Sequence, residues 1–165
     1  MVITILTTIM LMVAYFLILY SGVALIQDKK FFGSAPKAIQ DAVPDRKERF
    51  HGAHLLGWLV MMIAFLIYPA AFFIGAWDGI QNSYDFFGFW IRFLIMLFGM
   101  EIFDIVFFDW VLLCHSNFFP RFYPEVKDIV GPHLFGYNKK THFIHFLIYI
   151  PVTAAIAGIC LFFII

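Results

Sequence analysis

Charge is scarce in this chain. Only 13% of its 165 residues are charged, eleven of each sign, so the formal net charge is zero at pH 7. The basic residues form no stripe, which argues against nucleic acid as a partner. Cysteine is scarcer still. Cys114 and Cys160 fall in separate apolar runs, so neither a disulfide nor a thiolate metal motif is expected. A phosphate-binding glycine loop, a Gly-x-Ser-x-Gly elbow and a dinucleotide fingerprint are all missing, which removes the commonest nucleotide and serine-hydrolase chemistries.

Apolar surface fills the place of charge. Hydrophobic residues make up 63% of the chain, 23 of them Phe, and the mean hydropathy is +0.90. A soluble domain of this size exposes too much surface to hide that many rings in one core. The composition is that of a polytopic membrane protein.

Four apolar runs are long enough to cross a hydrocarbon core of about 30 Å. They cover about residues 3–26, 46–76, 86–114 and 141–165, giving an all-α, four-helix transmembrane bundle as a single domain, 1–165. No basic residue precedes the first run and no small-residue cleavage site follows it. That run therefore reads as a retained helix rather than a removed signal peptide. Of the eleven basic residues, six lie between Gln27 and Phe50 and four between His115 and Thr141; the remaining one is Arg92. The positive-inside rule then puts the first and third connections in the cytoplasm and both termini outside. The expected location is a bacterial plasma membrane, with multiple passes.

The loops carry local signals of their own. Ser34 and Pro36 suit the start of a short helix whose apolar positions, Ala35, Ala38, Ile39, Ala42 and Val43, would lie on the cytoplasmic interface. Asp45 and Glu48 stand at capping-box spacing before the second span. The first and third connections each end in a basic residue followed closely by His-x-x-His: Arg49 before His51 and His54, and Lys140 before His142 and His145. The match reads as a parallel internal repeat of two helical hairpins.

The candidate chemistry lies in acids and imidazoles. Glu101, Asp104 and Asp109 interrupt the third span, and intramembrane carboxylates are costly enough to be functional candidates by default. At about 100° per residue, Glu101, Asp104 and His115 share one helix face, with Asp109 flanking it. Arg92 lies on the opposite side, so it must snorkel outward or bond to another helix. An i, i+3 histidine pair puts two imidazoles on one face, near enough to share a metal. Metal ligands are therefore expected among His51, His54, His115, His142 and His145, with Glu101, Asp104 and Asp109 as catalytic or ligand-completing acids. Such mixed N and O donors suit a divalent metal, iron or zinc in particular. Axial ligation of a heme by histidines of the second and fourth spans is a further option. His133, beside Pro132 in a loop, reads as structural. The arrangement resembles in logic the histidine-rich di-iron desaturases and hydroxylases, but neither box has the third histidine of their His-x-x-His-His motif.

Three functions are compatible with this pattern. The first is a metal-dependent or acid/base enzyme acting on a lipid or other apolar substrate. The second is a small oligomeric ion or proton-coupled transporter using Glu101, with Gly75, Gly88, Gly99 and Gly158 as close-approach points for a homo-oligomer. The third is an accessory subunit of a membrane complex.

Overall fold

Glycine and a capping carboxylate set the start of the longest helix. In the computed structural model, which describes residues 1–162, the helix expected from about residue 46 begins instead at Ala53 and runs to Gln81 (α3). Asp45 does not cap it, because its Oδ1 accepts from the Lys29 amide at 2.9 Å. Glu48 takes the role, accepting from the His54 amide at 3.1 Å and so satisfying one of the orphan donors of a helix N-terminus. Gly52, at φ 84°, provides the left-handed turn before the helix that an L side chain resists.

The other elements follow in chain order. Helix α1, Val2–Tyr20, continues as a π-helix over Ser21–Ile26. Helix α2 is short, Lys37–Ala42. Ser34 makes no cap there, and Gln40 instead donates to the carbonyls of Gly33 and Ala35. Helix α4, Phe86–Phe103, widens into a π-helix over Asp104–Cys114. Helix α5, Phe118–Phe122, lies in the third connection, and α6 spans Lys139–Leu161. Among the described residues there is no strand. The end of the fourth predicted span, residues 163–165, lies outside the described residues.

Three helices are long and apolar enough to cross a membrane: Val2–Ile26, Ala53–Gln81 and Lys139–Leu161. The segment expected as the third of four spans is α4 with its π continuation; it is not one of these three, and it carries Arg92, Glu101, Asp104 and Asp109. Large apolar side chains of α3 (Leu55, Trp58, Met62, Leu66, Phe73) point outward and are more than two-fifths exposed, as lipid-facing helices require.

The chain forms two compact units. The first comprises Met1–Ala14, Phe65–Phe103 and the segment from Lys139; the second comprises Tyr15–Ala64 and Asp104–Asn138. Helices α1 and α3 each contribute to both. In the first unit α4 packs along α6, with Phe98 and Phe146 edge-on at 4.9 Å. Gly99 allows close approach of Thr8, whose Cγ2 would lie 2.6 Å from an added Cβ. This glycine is therefore used inside the chain.

Arg92 resolves as an inter-helix clamp in the first unit. It is 2% exposed, donates to the Gly75 carbonyl and to Asp78 at 2.6 Å, and stacks over the Tyr84 ring at 4.4 Å. Asp78, expected in a loop, is in α3. In the second unit, Ser21 donates to the Gly57 carbonyl. An added Cβ at Gly57 would meet Ile26 Cγ1 at 2.6 Å, so this crossing needs glycine.

Candidate metal centre

His142, His145 and Tyr149 are spaced i, i+3 and i+7 along α6, which places them on one helix face. Thr153 and Ala157 continue the same stripe and are buried. In the first unit this face meets Glu101, near the end of α4. The Glu101 carboxylate is 2% exposed and His142 is 5% exposed. Oε1 of Glu101 lies 2.8 Å from Nδ1 of His142 and 3.0 Å from Nδ1 of His145. Oε2 accepts from the Tyr149 hydroxyl at 2.9 Å. Both carboxylate oxygens are therefore engaged.

The charge of this group needs balancing. Among the described residues no Lys or Arg pairs with Glu101; its ion-pair partners are the two imidazoles. A buried carboxylate without a fixed cation is unfavourable, so it calls for a proton on the group or for a metal. One ligand atom each from Glu101, His142 and His145 lie within 4.8 Å of one another, and the group could hold a metal ion. A metal about 2.1 Å from each donor sets neighbouring donors about 3 Å apart in octahedral geometry. The 2.8 and 3.0 Å separations are those of hydrogen bonds to one carboxylate oxygen, and the three ligand atoms together lie within 4.8 Å. The His145 side chain is 42% exposed, so one side of the group is open.

The remaining candidates belong to the second unit. The Tyr15 hydroxyl donates to Asp104 at 3.4 Å, and Asp109 is buried. His115 is exposed, with Nδ1 2.7 Å from the Trp110 carbonyl and its ring against the Trp110 indole at 5.4 Å. His51 is exposed just ahead of α3. His54 lies in the first turn of α3, and its Nε2 is buried with no hydrogen-bond partner among the described residues. Within this unit, and among the described residues, no three of these side chains form a metal-holding group.

Sequence reasoning missed Tyr149. Its signal was the i+7 spacing from His142, obscured because a tyrosine in an apolar helix reads as an ordinary interfacial aromatic. The shared face assigned to Glu101, Asp104 and His115 assumed constant winding, whereas the chain winds wider from Asp104 onward. The faces of Asp104, Asp109 and His115 therefore do not follow the 3.6-residue period from Glu101.

Outside the apolar helices, Tyr123 and Glu125 are among the perturbed polar groups. Tyr123 is fully buried, and burial pushes its hydroxyl up to about 12. Its ring packs on Phe32 at 4.8 Å, with the Arg46 guanidinium 5.2 Å away. The Glu125 carboxyl is held below its ordinary value, first by its own backbone N–H and then by the Arg46 side chain.

Comparison with protein-family models, with curated proteins and with solved structures finds no match to this chain.

Proposed function

We propose that the protein is a four-span membrane enzyme with both termini outside, in which Glu101, His142 and His145 hold one divalent transition metal that acts on a lipid or other apolar substrate. The observation that carries this reading is the convergence of one carboxylate oxygen and two imidazole nitrogens within 4.8 Å on helices whose outer faces are apolar. Two imidazoles and a carboxylate are a donor set used by both catalytic zinc and non-heme iron, and it leaves coordination positions open for substrate or water. The metal would polarise an oxygen of the substrate or of a bound water. Tyr149 would hold the second carboxylate oxygen and so fix the orientation of Glu101. The exposed flank of His145 gives an apolar molecule a way in from the bilayer.

Elemental analysis of the detergent-purified chain tests this directly. The expected result is about one iron or zinc per chain, a stoichiometry set by a single three-donor site, with loss of the metal in Glu101→Gln and in His145→Ala. Wild-type protein that stays metal-free after incubation with iron, zinc and manganese sinks the enzyme reading. The topology has its own check: Asn82→Cys and Lys127→Cys should react with impermeant thiol reagents from opposite sides of the membrane, against a background lacking Cys114 and Cys160.

A second reading is favoured by the same hydrogen bonds. Three donors around one carboxylate also suit a group that takes up and releases a proton, as a proton-coupled transporter requires. Metal-free protein with cation uptake that is pH-dependent and abolished by Glu101→Gln would support it.

A further inference from the structure

The second unit contains a half-open cavity of about 400 Å³, within the usual range for small-molecule sites. Tyr20, Leu112, Phe118 and Phe122 form its apolar wall. Arg49, Arg121 and Asn117 supply the polar side, and no acidic residue lines it. Ser116, which also lines it, is already committed: its hydroxyl donates to the Leu112 carbonyl at 2.8 Å and accepts from the Phe118 amide at 3.1 Å. It shapes the wall rather than offering a donor.

The two arginines set the chemistry. Among the described residues, neither has a carboxylate within ion-pair distance. Of the four arginines, Arg46 and Arg92 are each paired with a carboxylate at 2.6 Å, Glu125 and Asp78, so Arg49 and Arg121 are the two left without one among the described residues. The Arg49 guanidinium is held over the Phe122 ring, 5.1 Å from its centroid, which keeps it at the cavity without cancelling its charge. Two guanidinium forks at one cavity suit a phosphate, whose oxygens accept paired N–H donors. The Asn117 amide can add a further donor.

The apolar wall identifies the source of that phosphate. Tyr20 lies in the last third of the span Val2–Ile26 and Leu112 near the end of the π-helix that continues α4, so the cavity lies toward the loop ends of these helices, where Asn117 and Arg121 follow. Basic pockets at such positions suit lipid headgroups. We propose that this cavity binds an anionic phospholipid, with its phosphate between Arg49 and Arg121 and its glycerol and upper acyl region against Tyr20, Leu112, Phe118 and Phe122. The site stands independently of the metal centre.

Native mass spectrometry of the full chain, released from detergent with defined lipids, tests the assignment. The probes are phosphatidylglycerol, phosphatidylcholine, diacylglycerol and inorganic phosphate. At about 1 kcal/mol per basic residue near a lipid surface, two arginines predict about thirtyfold preference for phosphatidylglycerol over diacylglycerol. Phosphatidylcholine should rank between them, because its choline repels the guanidinium groups. Arg49→Gln with Arg121→Gln should abolish the preference, and Arg121→Gln alone, at an exposed position that leaves the fold intact, should lower it about fivefold. Lys37→Gln with Lys127→Gln removes the same charge elsewhere and should leave it unchanged. The proposal is overturned if the arginine variants keep the preference or if the lysine control loses it equally. Displacement of the lipid by inorganic phosphate overturns it as well, since that marks a soluble-anion site.

Discussion

Tyr149 donates its hydroxyl to Oε2 of Glu101 at 2.9 Å, while Nδ1 of His142 and Nδ1 of His145 lie at Oε1, 2.8 and 3.0 Å away. The phenol thus fixes the rotation of the carboxylate and, through it, the direction in which Oε1 faces the imidazoles. Removing that hydroxyl should loosen the group without removing a ligand. Tyr149→Phe is expected to bind metal about 10- to 100-fold more weakly, the usual effect of losing an outer partner. Competition with a calibrated chelator measures this. Unchanged affinity would show that Tyr149 plays no orienting part.

Arg92 should matter for stability rather than for metal content. Its side chain is 1% exposed and that of its partner Asp78 is 28% exposed. Arg92→Met leaves the Asp78 charge half-stranded and the Gly75 carbonyl unmade, and should cost about 2–4 kcal/mol. Asp78→Asn should cost less, because the carbonyl contact and the Tyr84 stacking survive. Thermal unfolding in one detergent, with metal content measured in parallel, distinguishes a clamp from a functional residue.

Gly57 and Gly158 make a matched pair. An added methyl at Gly57 meets Ile26 and Leu25, whereas nothing lies within 4 Å of one at Gly158. Gly57→Ala should therefore destabilise by about 1–3 kcal/mol through overpacking. Gly158→Ala should be neutral or slightly stabilising, since alanine is the better helix former. Equal melting temperatures for the two variants would contradict the close crossing at Gly57.

Acid should loosen the third connection. Glu125 has a carboxyl lowered relative to the unfolded chain, and both its oxygens lie 2.6 Å from Nη2 of Arg46. Such a group stabilises the fold above the ordinary carboxylate range, and the contribution fades as pH falls through the lowered folded value. Hydrogen exchange across residues 115–138 should quicken on going from about pH 6 to about pH 3. In Arg46→Gln the acid-dependent part should shrink. The effect is modest because Glu125 is solvent-exposed.

Much of this architecture was readable from composition, because apolar runs of spanning length leave few alternatives. Residues 3–26 were placed almost to the residue. The start of α3 was not: the capping-box spacing at Asp45 and Glu48 pointed to residue 46, but a tertiary bond from Lys29 takes the Asp45 carboxylate. At the site, Glu101 stood out through the cost of an acid in an apolar helix, and His142 with His145 through their spacing. The equivalent spacing of His51 and His54 gave the same signal, yet His51 precedes α3 and His54 occupies its first turn, where the backbone rather than the ring is engaged. Pattern alone does not distinguish the two pairs. What separates them is whether a neighbouring helix presents a carboxylate, as α4 does to α6 in the first unit.

The wide winding from Asp104 to Cys114 carries one more implication. An i to i+5 ladder holds more residues per turn than the tight form, so it stores slack. Deleting a single residue there would let one wide turn relax to ordinary pitch at little cost in backbone bonding, re-aiming the side chains within that turn while those beyond it keep their bearing. Sequence length in this stretch is therefore a steering variable, and a one-residue deletion in the turn that holds Asp109 should be tolerated by the backbone but not by whatever depends on the bearing of Asp109.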